Sequence, residues 1–181
     1  MAVRFGVVGT GNIGSQHIQL LNSGKVTGAT LAATASRSTP HLETGVPHFV
    51  DYRQMFSDAD INAVLIATPT MSHVEVAQAA LEHSLHVVME KPIAMSMHQA
   101  ETLLARVPDD LKFAVMLNQR FHPAYAKLKQ LLVDDAIGNL QRVGWTMTAW
   151  YRPDIYYQVS SWRGTWPGEG GGLLINQCIH N

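Results

Sequence analysis

The chain has 181 residues, of which 46% are hydrophobic and 15% are charged, and its formal net charge is −1 at pH 7. This composition is typical of a globular protein and argues against a disordered chain. A near-neutral balance of charge also argues against a surface for nucleic acid or for an anionic membrane. The length suits one domain, or one domain and part of a second.

The cysteine content and the N-terminus favour a reducing compartment. Cys178 is the only cysteine, so no internal disulfide can form. The opening MAVRFGVVGTG lacks the apolar segment and cleavage site of a signal peptide. No apolar run approaches the roughly 18–20 residues that span a bilayer. We therefore expect a cytoplasmic protein.

Apolar stretches of strand length alternate with segments of helical period over the first 120 residues. Strands are predicted at Val3–Val8, Ala29–Ala35, Asn62–Thr68, 85–90 and Leu111–Leu117, and helices at 13–24, 51–58, 72–84 and 96–107. Ser72 is the predicted N-cap of the third of these helices. The succession predicts an α/β fold, with a doubly wound parallel sheet covered by helices on both faces.

The pattern changes near residue 120, where we place a domain boundary between 1–120 and 121–181. Pro123 opens a predicted helix over 123–134. The segment QRVGWTMTAWY (141–151) alternates apolar and polar residues, which predicts a strand of an open, one-sided sheet. Residues 152–172 are rich in proline and glycine and are predicted to be loop. The second part is therefore predicted to begin a separate α+β unit.

A glycine-rich turn follows the first predicted strand. In GTGNIG, Gly9 allows a tight turn, Gly11 lets the backbone approach a pyrophosphate, and Gly14 allows helix and strand to pack closely. Asn12 and Ile13 belong to the same turn, at a helix N-terminus that favours phosphate. Because the motif lies between a strand and a helix, it predicts a dinucleotide site. The alternative is a glycine turn without a ligand.

The second predicted strand ends without the acidic residue that an NAD site uses for the ribose hydroxyl. No Asp or Glu occurs between Gly14 and Glu43, and the strand is followed by Ser36, Arg37 and Ser38. Two hydroxyls and a guanidinium suit an adenosine 2′-phosphate, which predicts NADP. NAD remains possible, since Arg37 can equally be a solvated surface residue.

Glu90-Lys91-Pro92 stands directly at the carboxyl end of a predicted strand, the edge where open α/β sheets bind ligands. A residue before proline is disfavoured in helical geometry, so the Lys91 amine can project into the crevice. The alternative is an ordinary exposed lysine at a strand end.

Five motifs in one order make the chain resemble a known family. GTGNIG, ATPTMSH, EKP, NQRFHPAY and GEGGGLLINQCIH are similar to motifs of the Gfo/Idh/MocA oxidoreductases, the family of glucose–fructose oxidoreductase and inositol dehydrogenase. The resemblance implies a Rossmann domain followed by a substrate domain built on a large open sheet. It also implies hydride transfer between a nicotinamide and a carbon of a sugar, inositol or related polyol.

The resemblance also implies roles for individual residues. Lys91 matches the lysine that holds the reacting oxygen, and His180 matches the proton-transfer histidine. Asn176 stands where many members have Asp, so a mechanism that needs a carboxylate there is in doubt. The remaining assignments are cofactor contacts by Thr68, Pro69, His73, Glu90, Pro92 and Asn118, and substrate contacts by Arg120, Trp162 and Arg163.

These roles are chemically consistent with one another. If LLINQCIH is helical, Asn176 and His180 are four residues apart and share a face. A histidine near its normal pKa suits proton exchange with an alcohol, and desolvation should lower the pKa of Lys91. Asn176 can orient a substrate but supplies no negative charge.

The other histidines, and Cys178, are expected to be structural or exposed. His17, His83, His86 and His98 have no metal-ligand context, so no metal is predicted. Cys178 is expected to be a packing residue.

We therefore expect an NADP-linked sugar or polyol dehydrogenase, and the alternative is a non-catalytic sensor of dinucleotide or sugar. The resemblance implies a homo-oligomer. Because family members continue beyond the final helix, we also expect the chain to be a truncated piece. Its nucleotide domain should fold, its strand and Trp-rich loop should be poorly covered, and turnover by the piece alone would contradict this.

Overall fold

The computed structural model describes residues 2–38, 43–146, 151–158 and 161–180. Its strands are β1 (Val3–Val8), β2 (Ala29–Ala35), β3 (His48–Phe49), β4 (Ala63–Ile66), β5 (His86–Met89) and β6 (Phe113–Val115). Its α-helices are α1 (Asn12–Asn22), α2 (Tyr52–Asp58), α3 (His73–Glu82), α4 (Met97–Leu104), α5 (Pro123–Val133), α6 (Asp154–Gln158), α7 (Trp166–Glu169) and α8 (Leu173–Asn176). Single 3₁₀ turns lie at Thr70–Ser72, Asn118–Phe121 and Cys178–His180.

The six strands form one parallel sheet in the order β3-β2-β1-β4-β5-β6. The chain first builds outward from β1 to β3, then returns to the other side of β1 and builds outward again. Val8 at the end of β1 is level with Ala35 of β2 and with Ile66 of β4. The strand order therefore reverses beside β1, and a crevice opens there above the carboxyl ends.

Helices cover both faces of this sheet, which confirms the doubly wound fold. On one face, α1 buries Ile18 and Leu21 against Val7. On the other, residues of α2, α3 and α4 pack on the central strands, with Val76 1% exposed and Leu103 0% exposed. Each such side chain contributes about 1.5–3 kcal/mol through its removal from water.

Helix boundaries follow local signals, with one exception. The side chains of Asp51 and Ser96 accept hydrogen bonds from backbone N–H groups in the first turns of α2 and α4. Pro123 opens α5 as predicted. Ser72 occupies the N-cap position of α3 as predicted, but its side chain makes no capping hydrogen bond, because its hydroxyl donates to the Pro69 carbonyl at 2.9 Å. The 3₁₀ turn before α3 keeps that hydroxyl away from the helix N–H groups.

The strand predicted over 141–151 is not seen in the residues that the structure describes. Residues 141–146 form no strand, and 147–150 lie outside the described residues. An alternating pattern selects the faces of a strand, but the strand itself exists only when a neighbour pairs with it. No described segment of the second part pairs with 141–146, and Val143 is 74% exposed.

The loop predicted over 152–172 contains two short helices. Pro153 directly precedes α6, and Pro167 lies in the first turn of α7, positions that proline favours. The Thr165 hydroxyl caps α7, and Gly170, with φ 72°, ends it. The prolines and glycines were interpreted as loop signals, whereas here they mark helix ends.

The final helix is also shorter than predicted. It ends at Asn176, and the backbone tightens into the 3₁₀ turn at Cys178–His180. This turn packs against the 3₁₀ turn Asn118–Phe121, while α7 packs against Thr70–Ser72. The last part of the chain therefore returns to the carboxyl edge of the sheet.

Candidate functional site

Close packing requires glycine at two positions of the turn, Gly9 and Gly14, but not at Gly11. A Cβ on Gly14 would lie 1.8 Å from the Gly9 carbonyl oxygen, and one on Gly9, whose φ is 93°, would lie 2.7 Å from the Ala67 backbone. A Cβ on Gly11 would meet nothing within 4 Å. Gly11 also begins α1 without a side-chain cap. The first-turn N–H groups of α1 therefore have no side-chain acceptor at the cap, an arrangement that fits a bound phosphate.

A cleft of about 480 Å³ opens beside this turn, above the carboxyl ends of β1, β2 and β4. Of the predicted cofactor residues, Gly9, Gly11, Ser36, Arg37, Ser38, Thr68 and Pro69 line it. Its other lining residues are Val8, Thr10, Ala35, Val50, Tyr52, Met71, Ser72 and Val76. Volume and position both suit a dinucleotide.

The lining residues missed from the sequence include Val50 and Tyr52. Both follow β3, whose two residues were too few to show a strand pattern. Two of the predicted residues, Asn12 and Ile13, are exposed on the first turn of α1, and the buried Gly14 supports that turn from below.

The end of the cleft that is lined by Ser36, Arg37 and Ser38 has no acidic lining residue. The Ser36 hydroxyl donates to the Ser38 carbonyl and lies 2.7 Å from the Thr10 hydroxyl, so its hydrogen is already used. Arg37 and Ser38 are exposed. The donor set at this end therefore reduces to the Arg37 guanidinium and the Ser38 hydroxyl.

Lys91 follows β5 at the opposite side of the crevice, and its peptide bond to Pro92 is cis. Its ammonium donates to the Asn176 carbonyl at 2.6 Å and lies 3.5 Å from the Asn176 side-chain oxygen. Burial lowers the pKa of Lys91, the Glu90 carboxylate opposes this change, and the charge of Arg152 reinforces it. A lowered pKa makes this lysine a better partner for proton exchange near neutral pH.

The neighbours of Lys91 hold its loop in place. Glu90 lies 2.9 Å from the Nε2 atom of His17 on α1, and both side chains are largely buried. His73 is 1% exposed, with Nδ1 2.7 Å from the Pro92 carbonyl and Nε2 2.9 Å from the Thr68 carbonyl. His73 thus lies beneath the cleft and joins two of its loops. A direct cofactor contact by His73 stays a prediction.

Asn176 is the centre of a cluster of side chains that also includes Arg152, Glu169 and Gln177, and this cluster forms the second wall of the site, opposite the glycine turn. Its side-chain oxygen accepts hydrogen bonds from Arg152 at 3.2 Å and Gln177 at 3.0 Å. Its amide nitrogen donates to Glu169 at 2.6 Å, and Glu169 is 7% exposed. The resemblance had matched Asn176, and its last motif also contains Glu169, although no role was assigned to that carboxylate. Arg152 lies in none of the five motifs, and its only signal was a charge in a segment rich in glycine and aromatic residues.

His180 lies in the same wall, beside the turn that holds Asn118 and Arg120. Burial lowers its pKa, and the positive charge of Lys91 acts in the same direction. The two segments meet, although Asn118 and Arg120 are themselves exposed. The i, i+4 helical relation to Asn176 is not formed, because α8 ends at Asn176.

Three buried polar atoms at this edge have no hydrogen-bond partner among the described residues. They are Thr68 Oγ1, Gln119 Oε1 and His180 Nδ1. Buried polar atoms are nearly always paired, so unpaired ones mark places where a ligand can bind. Together with the open space at Gly11, they are consistent with a bound dinucleotide.

Trp162 and Arg163 lie next to this wall. The Arg163 guanidinium carbon is 4.8 Å from the Trp162 ring centroid and 4.3 Å from that of Tyr156. In the described part of the chain, no three His, Cys, Asp or Glu side chains converge on a possible metal site. None of the described helices has the length and apolar character that crossing a membrane requires.

Comparisons with known proteins agree with this geometry. The model of the oxidoreductase family with an NAD-binding Rossmann fold, GFO_IDH_MocA, matches residues 3–118, and a GFO/IDH/MocA C-terminal domain matches residues 125–181. An inositol 2-dehydrogenase of Arthrobacter sp. (strain FB24) is 33% identical over 76% of this chain and 43% of its own. This chain spans about half the length of the curated relatives it matches.

Two solved structures extend the comparison. The scyllo-inositol dehydrogenase of Lactobacillus casei, with bound NAD(H) and scyllo-inositol, matches with a TM-score of 0.71 and 31% identity over 77% of this chain and 43% of that one. The WlbA dehydrogenase of Bordetella pertussis, in complex with NADH and UDP-GlcNAcA, matches with a TM-score of 0.83 and 26% identity over 99% of this chain and 57% of that one. The chain therefore belongs to the Gfo/Idh/MocA family of oxidoreductases with an NAD-binding Rossmann fold.

Proposed function

We propose that the protein is an NADP-linked dehydrogenase or reductase that transfers a hydride between the nicotinamide and a CH–OH carbon of a sugar, inositol or related polyol. The observation that carries the proposal is the partly buried Lys91 ammonium, held against Asn176 at the carboxyl edge of the sheet. Relatives named for inositol and a solved relative holding a sugar nucleotide support the substrate class.

The bound nicotinamide supplies the hydride chemistry, and the residues of the chain supply position and proton handling. Glycines Gly9, Gly11 and Gly14, with Asn12 and Ile13, would hold the pyrophosphate, and Thr68, Pro69, Glu90, Pro92 and Asn118 would border the nicotinamide half. Arg120, Trp162 and Arg163 would hold the substrate.

Oxidation of a CH–OH group also releases the hydroxyl proton. Lys91 can donate a hydrogen bond to the reacting oxygen, and its lowered pKa eases proton movement. His180, whose unpaired Nδ1 is buried, can take the proton and pass it to solvent. Asn176 orients the lysine and the substrate without adding negative charge.

The cofactor preference rests on Arg37 and Ser38, and on the lack of an acidic lining residue at that end of the cleft. The alternative is NAD, which the bound cofactors of the solved relatives favour. The division near residue 120, a cytoplasmic location and a homo-oligomer are parts of the same proposal.

Nicotinamide absorbance tests the function. The full-length protein is mixed with NADP or NADPH and a panel of sugars, sugar acids and inositols, or their oxidised forms, and the absorbance change is followed. Lys91→Met should lower the rate about 10²-fold to 10⁴-fold, as for loss of an acid–base group. Lys129→Met, on exposed α5, is the matched control and should leave the rate unchanged.

The rival function is non-catalytic binding of a dinucleotide or sugar, or an inactive piece of the same fold. Saturable cofactor binding with no absorbance change for any compound would favour the rival. Turnover that survives Lys91→Met would instead remove Lys91 from the proposed chemistry.

A further inference from the structure

Three cationic side chains converge beside Asn176. The Arg152 guanidinium donates to the Asn176 side-chain oxygen at 3.2 Å, and the Lys91 ammonium lies 3.5 Å from the same oxygen. Arg163 is near enough for its charge, like that of Arg152, to act on Lys91. The Asn176 side-chain oxygen is a neutral acceptor, so it balances little of this positive charge.

Aromatic rings fix the two guanidinium groups. The guanidinium carbon of Arg152 lies 4.8 Å from the Tyr156 ring centroid, and that of Arg163 lies 4.3 Å from it. Arg163 also stacks on Trp162 and donates to the Tyr156 hydroxyl. Stacking occupies the faces of a guanidinium and leaves N–H groups at its edge for the oxygens of a carboxylate or phosphate.

Two carboxylates lie nearby, and the charges of both act on Lys91, so three cations face only two anions. Glu90 is paired with His17, and Glu169 accepts from the Asn176 amide and from the Gly164 N–H. The ion pairs found within the described ranges include neither Arg152 nor Arg163, although both side chains are partly buried. A partly desolvated cation without a counter-ion is costly, and an anionic ligand removes that cost.

We propose that the substrate of this site is an anionic sugar, whose carboxylate or phosphate group is bound by Arg152 and Arg163. The forked N–H groups of arginine match either group in a bidentate manner. Lys91 then remains for the reacting oxygen, so the two arginines select the substrate class and Lys91 serves the reaction. That the ligand is a sugar rests on the function proposed above; the anionic group rests on the arginines alone.

Calorimetric titration of the NADP-saturated 181-residue chain tests the inference. Glucuronate and glucose 6-phosphate should each bind about tenfold or more tightly than glucose, because charged hydrogen bonds replace neutral contacts. Higher ionic strength should reduce that preference. Arg152→Gln and Arg163→Gln should each remove most of it. Arg142→Gln, an exposed arginine before the site, is the matched control and should leave it intact.

The comparison of the two anions identifies the group: tighter glucuronate indicates a carboxylate, and tighter glucose 6-phosphate indicates a phosphate. Retained NADP binding shows that the dinucleotide domain of a variant is folded, and Arg152→Lys, which keeps the charge beside Asn176, should keep part of the preference if the charge and not the fold is responsible. If Arg163→Gln loses NADP binding as well, Arg163→Lys replaces it and should keep part of the preference through its charge. Glucose binding as tightly as both anions, or no binding of either anion, overturns the inference.

The failures of the two proposals differ. Hydride transfer with neutral polyols and none with sugar acids or sugar phosphates would leave the proposed function standing and overturn the anionic class. Preferential binding of glucuronate without any absorbance change would support the anionic class and contradict the proposed function.

Discussion

Arg37 stands at the end of the dinucleotide cleft, where its guanidinium is exposed and no acidic residue lines the wall. If it binds a 2′-phosphate, Arg37→Ala should weaken NADPH about tenfold or more and leave NADH nearly unchanged, because only the phosphate contact is lost. Fluorescence titration of both cofactors measures this.

The control for Arg37→Ala is Arg106→Ala, an exposed arginine after α4 that does not line the cleft. It should change neither affinity. NADH binding more tightly than NADPH to the unmodified chain would contradict the NADP preference outright.

Single residues also show what a sequence pattern cannot reveal. Lys91 and Asn176 are 85 positions apart, and although the family resemblance assigned both to one site, nothing in the sequence predicted the hydrogen bond between them. Glu169 lies in the quoted motif GEGGGLLINQCIH, but a lone carboxylate among glycines shows no period that indicates burial, so it received no role. Its importance appears only when the fold brings it to the Asn176 amide.

At the scale of elements, sequence patterns predicted correctly those segments whose structure follows from their own burial in the sheet. The bounds of β1 and β2 agree with prediction, since both are apolar strands within the sheet. β3 was missed because its two residues are too short to show a period. The strand expected at 141–151 depends on a partner rather than on its own pattern, and residues 141–146 have none among the described residues.

Two elements of the site are joined by a residue that was expected to be merely structural. His17 on α1 contacts Glu90, the residue before Lys91, so it joins the helix after the glycine turn to the loop that carries Lys91. The side chains of His17 and Glu90 are only 12% and 19% exposed, so the loss of this contact should change the stability measurably. His17→Ala should lower the free energy of unfolding by about 1–3 kcal/mol.

Urea unfolding checks the His17 prediction. His17→Gln should lose less than His17→Ala, because an amide N–H can still donate to the Glu90 carboxylate. Gln16→Ala, exposed on the same helix, should have little effect. If the His17→Ala chain were as stable as its parent, the contact between His17 and Glu90 would contribute nothing to the free energy of unfolding.

At the scale of the whole molecule, the sheet is well packed while the second part depends on a few polar contacts. Tyr151 and Trp166 are 86% and 78% exposed. The contact of Asn176 with Lys91 and the packing of α7 on Thr70–Ser72 hold the last part of the chain at the sheet edge, whereas the contact of Arg152 with Asn176 lies within the second part itself. The site is therefore assembled by tertiary contacts between two segments, which explains why its composition was harder to predict than its sheet.

The stability of the whole molecule should fall in mild acid because of His73. Burial lowers the pKa of His73, although the carbonyls of Pro92 and Thr68 oppose this change. The unfolded chain therefore binds this proton more readily, and stability is fully present above the ordinary pKa of about 6.5 and is lost as the pH falls through the folded value. His180, also lowered by burial, adds in the same direction.

Urea unfolding of the chain between neutral pH and mild acid measures this loss of stability. His73→Gln should be less stable at neutral pH but should lose up to about 1.4 kcal/mol less per pH unit on acidification, because one titrating group is gone. His180→Gln should flatten the profile as well, whereas His98→Gln, exposed on α4, should not. An unchanged slope in His73→Gln would mean that the buried imidazole is already protonated in the folded chain, held by both carbonyls.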